Sequence, residues 1–296
     1  MTIRLLRTLV AVADAKTFSA AAEVVHVTHA AVSQQMQTLE ADLGVTLFNR
    51  STRTPELTPI AHQIVAKARV LLADYDGLVA SVLDEDGLSG DLRLGALGTT
   101  LTGLTPQAMA ILKDRFPGIG LHIRPGLTGE LLADIERGTL DAAIVTKPHL
   151  LPPRIQFRPL AQEPLQLIAP QDEPSDDPFA LLRTRPFIRF NRNAVLGTLI
   201  ENWILAKRVQ VSEAMELNSA EAISSMVQAG LGVSIVPDLA VKPQDGVRVK
   251  RLALGRDAPA RILGLACHKD QVKPRVIDAV FDALISVIPP AHRAIS

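Results

Sequence analysis

Residues 18–50 constrain this chain more than any other segment, because they combine two short helical patterns with a tight turn between them. Three consecutive alanines at residues 20–22 are small enough to let a second helix pack closely across the first. A turn follows at residues 26–27, and the hydroxyl of Thr28 is placed to accept from free backbone N–H groups of the next helix. The pattern predicts a helix-turn-helix, which suits the DNA major groove.

The second of these helices divides into an apolar and a polar face. Its apolar residues recur at spacings of 4, 3 and 4, namely Val32, Met36, Leu39 and Leu43. The opposite face is then formed by His29, Ala30, Ser33, Gln34 and Gln37. Glutamine side chains can read base edges, and serine can contact bases or phosphates. On periodicity alone, an ordinary amphipathic helix with solvated polar residues is an equal alternative.

A predicted wing follows this helix. Gly44 can adopt the left-handed conformation of a helix C-cap. Residues 46–48 and 56–58 have the pattern of short strands around a turn that holds Arg50 and Arg53. Such a wing can place arginine against phosphates or in a narrow minor groove. The predicted DNA contacts are Thr28, His29, Ala30, Ser33, Gln34, Gln37, Arg50 and Arg53.

The motifs of this segment resemble the N-terminal domain of LysR-type transcriptional regulators. The matching motifs are Phe18-Ser19-Ala20-Ala21-Ala22, Ala31-Val32-Ser33-Gln34-Gln35, Leu39-Glu40, Leu43-Gly44, Leu47-Phe48-Asn49-Arg50 and Leu57-Thr58. The chain departs from the family at His29-Ala30, where Gln-Pro is usual, and at Ala61, where glycine is usual. The first departure lies nearest the bases, so the resemblance does not carry an operator sequence with it.

Composition bounds the class of protein without pointing to nucleic acid. The 296 residues exceed one typical domain, and with 47% apolar but 3% aromatic residues the cores are expected to be aliphatic. The net charge is zero, and residues 1–58 hold five basic and five acidic side chains. DNA affinity must then come from where the charges lie and from two copies acting together.

Cys267 is the only cysteine, which excludes an internal disulfide and a cysteine zinc cluster and fits a reducing cytoplasm. It also argues against the two-cysteine peroxide switch of some family members. Residues 1–15 superficially resemble a signal peptide, but Arg7 interrupts the apolar run and the spacing is that of a packing helix. No run is long enough to span a membrane, so no membrane partner is expected. The single cysteine leads us to expect a cytoplasmic protein.

A long linker helix is predicted to begin at Thr58-Pro59, a capping hydroxyl followed by proline. About 28 residues at about 1.5 Å each would make a rod of about 42 Å. A heptad stripe follows it: Ala61, Ile64, Ala68, Leu71, Tyr75, Leu78 and Val82. We expect this stripe to pair with a second copy in a two-fold homodimer, as the resemblance also implies. The alternative is a helix packed on its own domain.

From residue 91 short apolar strands alternate with helices, which predicts a parallel sheet of βαβ units. Strands are predicted at 92–96, 121–125, 140–145, 165–169, 187–190, 233–236, 247–252 and 262–267, with helices at 105–116 and 130–137. Asn218 and Glu221 form a plausible capping box for a helix that ends at Gly230. Residues 218–237 resemble the effector domain of the family. Gly230 and Gly232 follow a helix, so a dinucleotide loop is not favoured.

The predicted fold class is α/β, with three parts. Residues 1–58 form a winged helix-turn-helix, and residues 59–89 form the linker helix and hinge. Residues 90–296 form a two-lobed effector domain that the resemblance implies is similar to periplasmic binding proteins. Lobe I covers about 90–162 and 268–296, and lobe II about 163–267.

Parallel sheets bind ligands beyond the carboxyl ends of their strands. Those ends carry threonines next to helix N-termini, which suit a carboxylate or phosphate. For each threonine alone, a helix cap is the better interpretation, and only together do they favour an anion. The resemblance adds a facing lobe, whose residues 189–192 lie at a strand end. The predicted effector contacts are Thr99, Thr100, Thr102, Thr128, Arg189 and Asn191.

Together these features predict a sequence-specific transcriptional regulator that binds an anionic metabolite. Two recognition helices would read an interrupted palindrome in double-stranded DNA. The resemblance implies a homotetramer and contact with RNA polymerase as further possibilities. An enzyme is disfavoured because no GxSxG and no complete phosphate loop is present. An extracytoplasmic solute-binding protein is disfavoured by the N-terminal domain. Neither a cofactor nor a metal is predicted.

Overall fold

The chain folds into two units, as a computed structural model shows. The structure describes residues 1–49, 56–77, 88–243, 246–255 and 257–294. One unit comprises Met1–Gly90 with Glu136–Thr139, and the other comprises Asp91–Ile135 with Leu140–Ser296.

The first unit opens with three helices, as predicted: α1 (Ile3–Ala15), α2 (Phe18–Val24) and α3 (His29–Leu43). A threonine hydroxyl caps each one, because Thr2, Thr17 and Thr28 accept from backbone N–H groups three residues ahead. Gly44 ends α3 with a φ of 66°, the left-handed conformation that favours glycine. The helices enclose an aliphatic core that includes Leu9.

The predicted wing has strands shorter than expected. Strand β1 (Phe48–Asn49) pairs with β2 (Glu56–Leu57) in antiparallel register, with Phe48 opposite Leu57. Thr58 then caps helix α4 (Pro59–Gly77), since its Oγ1 accepts from the N–H of Ala61 at 3.2 Å. The turn of the wing lies outside the described residues.

Helix α4 presents two faces instead of the single predicted stripe. Ala61, Val65, Ala68 and Leu72 are buried in the same core as α1 and α3. Leu71 and Tyr75 remain 48% and 55% exposed. Ala61 and Ala68 were predicted to face a partner, and this is wrong, because the core of their own unit covers them. The predicted continuation through Leu78 and Val82 lies outside the described residues.

The second unit is built on a mixed sheet, where a parallel one was predicted. Its strands are β3 (Gly90–Ala96), β4 (Ile119–Pro125), β5 (Ala142–Thr146), β6 (Ile155–Ala169), β7 (Pro186–Phe190), β8 (Ser212–Leu217), β9 (Ser234–Pro237), β10 (Lys250–Ala253) and β11 (Ala260–His268). Seven described strands share one sheet in the order β10-β6-β11-β5-β3-β4, with β9 also paired to β6. Only part of the prediction holds: β3 is parallel to β5, but β11 runs antiparallel to both β5 and β6.

Strand β6 passes through both lobes and connects them. Its residues up to Pro164 pair with β11, and its residues from Leu165 onward pair with β9 and β10. All of β11 therefore belongs to the sheet of lobe I. The predicted lobe boundary at residue 267 is wrong, because β11 pairs with β5 along Leu263–Cys267.

Lobe II contains a strand that the sequence pattern did not reveal. Strand β8 pairs in parallel with β7, and its alternation is weak because most of its side chains are exposed or half-buried. The described helices of the unit are α5 (Leu104–Arg115), α6 (Thr128–Glu136), α7 (Pro178–Thr184), α8 (Val195–Ala206), α9 (Ala220–Gln228) and α10 (Pro274–Val287).

Helix α9 begins one residue later than the predicted capping box implied. Ser219, not Asn218, is the N-cap, and its Oγ accepts from the N–H of Ala222 at 3.2 Å. After the helix, Gly232 has a φ of 153° and packs so closely on the carbonyl of Pro186 that no side chain fits there.

Candidate DNA-reading helix and effector cavity

The exposed face of α3 consists of the side chains that the sequence placed there. His29, Ala30, Gln34 and Gln37 are exposed, and Ser33 is half-buried. The opposite face is closed by Val32, Met36 and Leu39, each at most 1% exposed. The predicted division of the helix into two faces is confirmed. The polar face is thus free of the core of its own unit and can contact a groove.

The start of α3 is held by two contacts. The Thr28 hydroxyl accepts from the N–H of Ala31 at 3.2 Å, so its oxygen already serves the helix. The His29 ring lies 6.0 Å from the Phe18 ring, in a tilted arrangement. These contacts orient the first turn, which the helix-turn-helix geometry would bring nearest to bases.

Glu40 links α3 to the wing, a role that the sequence motif alone did not reveal. Its Oε1 accepts from the N–H of Leu47 at 2.7 Å and from that of Phe48 at 3.2 Å. The start of β1 is therefore tied to the recognition helix. Arg50 and Arg53, the predicted wing contacts, lie outside the described residues.

A small cavity lies between the two lobes of the second unit. Its volume is about 30 Å³, room for one or two water molecules. Residues from both lobes line it: Leu97, Gly98, Thr99, Gly126, Leu127, Thr128, Thr146, Phe190, Ala194, Val195, Leu196, Asn218 and Arg261. Thr99 and Thr128, both predicted effector contacts, are brought together here.

The other two predicted threonines do not reach this cavity. The Thr100 hydroxyl donates to the carbonyl of Leu97 at 2.8 Å and accepts from the Thr105 hydroxyl at 3.1 Å. The Thr102 hydroxyl donates to Glu221 Oε1 at 3.0 Å, across the lobes. Their hydroxyls hold a turn and an interlobe bond, so this cavity brings together only two of the four predicted threonines.

Arg189, a predicted effector contact, does not line this cavity. Its side chain is 3% exposed, and its guanidinium is paired with Glu201 and Glu213. The hydrogen bond from Arg189 holds the pKa of the Glu213 carboxyl below its usual value, with Arg192 adding to the effect. A cation that two carboxylates already neutralise has little left for a ligand.

Asn191 lies beside the cavity without lining it. Its Nδ2 donates to Asn218 Oδ1 at 2.9 Å, and its Oδ1 accepts from the N–H of Asn193 at 2.8 Å. It therefore orients Asn218, which does line the cavity. Its predicted effector contact stays a prediction.

Sequence reasoning missed Arg261, which lines the cavity, and its partner Glu163. They are opposite each other on β11 and β6, and Arg261 Nε donates to Glu163 Oε2 at 2.5 Å. Arg261 Nη1 donates to the Thr99 hydroxyl at 2.9 Å. Glu163 Oε1 accepts from the N–H of Ala240 at 2.7 Å. Both residues lie just outside the strands predicted at 165–169 and 262–267, where single charges usually indicate solvated positions, so no pattern marked this pair.

Cys267 lies in β11 and is 1% exposed. Burial raises the pKa of its thiol above the ordinary value. A thiol of this kind is a poor nucleophile at neutral pH.

Two absences hold for the described residues. No group of three histidine, cysteine, aspartate or glutamate side chains there has the geometry to hold a metal ion. None of the helices described there is long and apolar enough to cross a membrane.

Two family models cover most of the chain. The LysR substrate binding domain matches residues 85–288, and the bacterial regulatory helix-turn-helix protein of the lysR family matches residues 3–62. The chain belongs to the LysR family of transcriptional regulators. It is therefore a DNA-binding regulator with an effector-binding domain, and the predicted combination of helix-turn-helix and effector domain is confirmed. Its family consists of regulators and not of enzymes.

Individual relatives extend over nearly the whole LysR chain. The HTH-type transcriptional regulator IlvR of Caulobacter vibrioides is 29% identical, covering 93% of this chain and 94% of the relative. A hydrogen peroxide-inducible genes activator of Dickeya chrysanthemi is 29% identical, with coverages of 90% and 88%. A full-length OxyR variant of Pseudomonas aeruginosa has a TM-score of 0.78 at 28% identity, and the match covers 100% of this chain and 99% of that one.

A more distant structure supports the fold alone. Full-length CbnR in complex with its target DNA has a TM-score of 0.62 at 24% identity and covers 97% of this chain and 99% of that one.

Proposed function

We propose that this LysR regulator binds an interrupted palindrome as a homodimer, and that an anionic small molecule between the lobes alters its effect on transcription. The exposed polar face of α3 carries the proposal, because its apolar face is closed by the core while Gln34 and Gln37 remain accessible. The DNA complex of CbnR, which has the same fold, adds support. A single cysteine fits action in the reducing cytoplasm.

Base reading by Gln37 is tested with a matched pair of glutamines. Gln37→Ala should weaken binding to the intergenic DNA upstream of its own gene by about 1–3 kcal/mol, the value of one bidentate base contact. Binding to random duplex should change little, since phosphate contacts dominate there. Gln63 is also exposed, on α4, and Gln63→Ala serves as the control. Fluorescence anisotropy at two salt concentrations measures both.

Equal losses on operator and random DNA would contradict base reading by this face. So would a Gln63→Ala defect as large as that of Gln37→Ala, because it would point to a general effect on folding or charge.

Dimerisation through α4 is supported by the exposed Leu71 and Tyr75. They lie four residues apart on a helix whose other apolar face is already buried. Two recognition helices joined in this way would face half-sites about one helical turn apart. A tetramer of two such dimers and a contact with RNA polymerase belong to the same proposal.

The effector is proposed to be a small anion that Thr99 and Thr128 contact. A cavity of about 30 Å³ is too small for a metabolite, so the lobes must separate to admit one. A ligand that favours one lobe arrangement would then shift the population of the regulator. Similarity to a peroxide-inducible activator does not carry peroxide sensing by disulfide formation, because this chain has one cysteine.

Thr128→Val tests this site, with Thr105→Val as the matched control. Both threonines are buried, at 4% and 3% exposure, but Thr105 does not line the cavity and bonds to Thr100. A reporter fused to the upstream promoter would be challenged with substrates of the enzymes encoded beside the gene. Thr128→Val should lose the response that Thr105→Val retains. An unchanged response in Thr128→Val would mean that the effector binds elsewhere.

A further inference from the structure

We infer that Arg261 recognises the effector, and that the group it recognises is a single carboxylate. The inference rests on the proposed effector site and adds its central residue and its ligand chemistry. It starts from one buried atom in the cavity between the lobes.

Arg261 has a donor without an acceptor. Its side chain is 1% exposed, its Nε is bound by Glu163, and its Nη1 is bound by Thr99. Nη2 has no hydrogen-bond partner among the described residues. Leaving such a group buried and unsatisfied is costly, so native structures rarely do it without a function. Because Arg261 lines the cavity, a ligand oxygen there can accept from Nη2.

The groups around Nη2 also favour an acceptor ligand. The Thr99 hydroxyl accepts from Arg261, which leaves its own proton to donate to a ligand. Thr128 begins the nine-residue helix α6, whose first turn carries partial positive charge and free N–H groups. Arg261, Thr99 and Thr128 line the same cavity. Convergent donors of this kind match the two oxygens of a carboxylate.

The charge balance indicates one carboxylate and not a dianion. Glu163 already neutralises the formal charge of Arg261, so the buried pair has no net charge. A bound monoanion would add one negative charge, which the N-terminus of α6, with Glu130 already in its first turn, offsets by at most about half a charge. A second negative charge would have no compensation in this buried site.

The pair also lies where ligand binding can affect both lobes. Arg261 on β11 faces Glu163 on β6, two residues before β6 begins to pair with β9 at Leu165. Glu163 accepts from the N–H of Ala240, in the segment that follows β9 of lobe II. Arg261 bonds to Thr99 of lobe I. A carboxylate on Nη2 therefore joins a chain of bonds that connects the two lobes.

Acetate is the probe for this inference, and acetamide is its neutral counterpart of the same shape. Saturation-transfer NMR on the full chain should detect acetate binding, and acetamide should bind at least tenfold more weakly. Arg261→Lys should weaken acetate binding at least tenfold, because the shorter lysine side chain with its single ammonium cannot replace the planar guanidinium. Arg185→Lys is the matched control, since Arg185 pairs with the buried Glu173 but does not line the cavity.

A second variant guards against misfolding. Arg261→Lys could leave Glu163 without its partner, so the double change Arg261→Gln with Glu163→Gln removes both charges and should also lose acetate binding. The inference is overturned if wild type shows no acetate signal, if acetamide binds equally well, or if either variant binds acetate as wild type does. Operator binding by wild type, measured in parallel, separates the two failures. A chain that binds operator but not acetate overturns this inference alone.

Discussion

The link between Glu40 and the wing yields a quantitative prediction. The Glu40 carboxylate accepts from two backbone N–H groups, at 2.7 Å from Leu47 and at 3.2 Å from Phe48. Both residues are nearly fully buried, at 0% and 5% exposure, so water cannot readily replace the lost acceptor. Glu40→Ala therefore leaves two N–H groups unsatisfied at the start of β1.

The expected magnitude follows from these two bonds. A hydrogen bond to a charged group contributes about 1.5–3 kcal/mol, and the longer one contributes least. We expect Glu40→Ala to destabilise the wing by about 3 kcal/mol. Glu40→Gln keeps an acceptor without the charge, so we expect a loss of about 1 kcal/mol. Three kcal/mol is a large share of the stability of a small domain.

Amide hydrogen exchange reports this loss at the atoms concerned. If the wing opens locally, the exchange of the Leu47 and Phe48 amides should accelerate on the order of a hundredfold in Glu40→Ala. Glu23 is exposed on α2, and Glu23→Ala is the control for loss of one negative charge. Operator affinity should fall in parallel, since the wing would no longer be held to α3. Unchanged exchange at both amides in Glu40→Ala would refute the reasoning.

Two further predictions concern α4 and the effector unit. Leu71→Glu should give folded monomers with weakened operator binding, because Leu71 is 48% exposed, whereas Leu72→Glu should unfold the first unit, because Leu72 is only 9% exposed. Sedimentation measures the oligomeric state of each variant, and circular dichroism measures whether it is folded. A Leu71→Glu variant that remains dimeric would contradict the proposed interface. Asp141 has a lowered pKa: burial opposes the shift, but hydrogen bonds from Arg93 and the charge of Lys273 outweigh it. Its contribution to stability is present above its unfolded pKa of about 3.9 and is lost as the pH falls through the lower folded value. Asp141→Asn should therefore lower the midpoint of urea unfolding at pH 7, and the difference in midpoint between variant and wild type should shrink towards about pH 2. An equal difference in midpoint at both pH values would contradict this assignment.

Periodicity within one helix was a sound guide to local structure. Val32, Met36 and Leu39 lie on the buried side of α3 because helical spacing alone brings them to one face. The cap at Thr28 was also predictable, since an N-cap depends on residues within three positions. The N-cap of α9 could not be predicted in this way, because both Asn218 and Ser219 have side chains that can cap a helix and only the path of the backbone selects Ser219.

The two faces of α4 show where local patterns stop being informative. Over four turns, a heptad stripe and an ordinary amphipathic stripe have nearly the same spacing. Ala61 and Leu71 therefore looked equivalent in the sequence. In the structure the first is buried by its own unit and the second is exposed. The difference depends on which neighbour reaches each side chain, which a spacing does not encode.

The sequence by itself determined the family and the face of the recognition helix, because motifs and helical period are local properties. Only the tertiary structure decided which residues line the cavity between the lobes. It pairs Arg189 with Glu213, and it brings Arg261 together with Glu163, 98 residues away, and with Thr99, 162 residues away. Bonds between residues so far apart depend on how strands from separate parts of the chain pair, and no local pattern records that pairing.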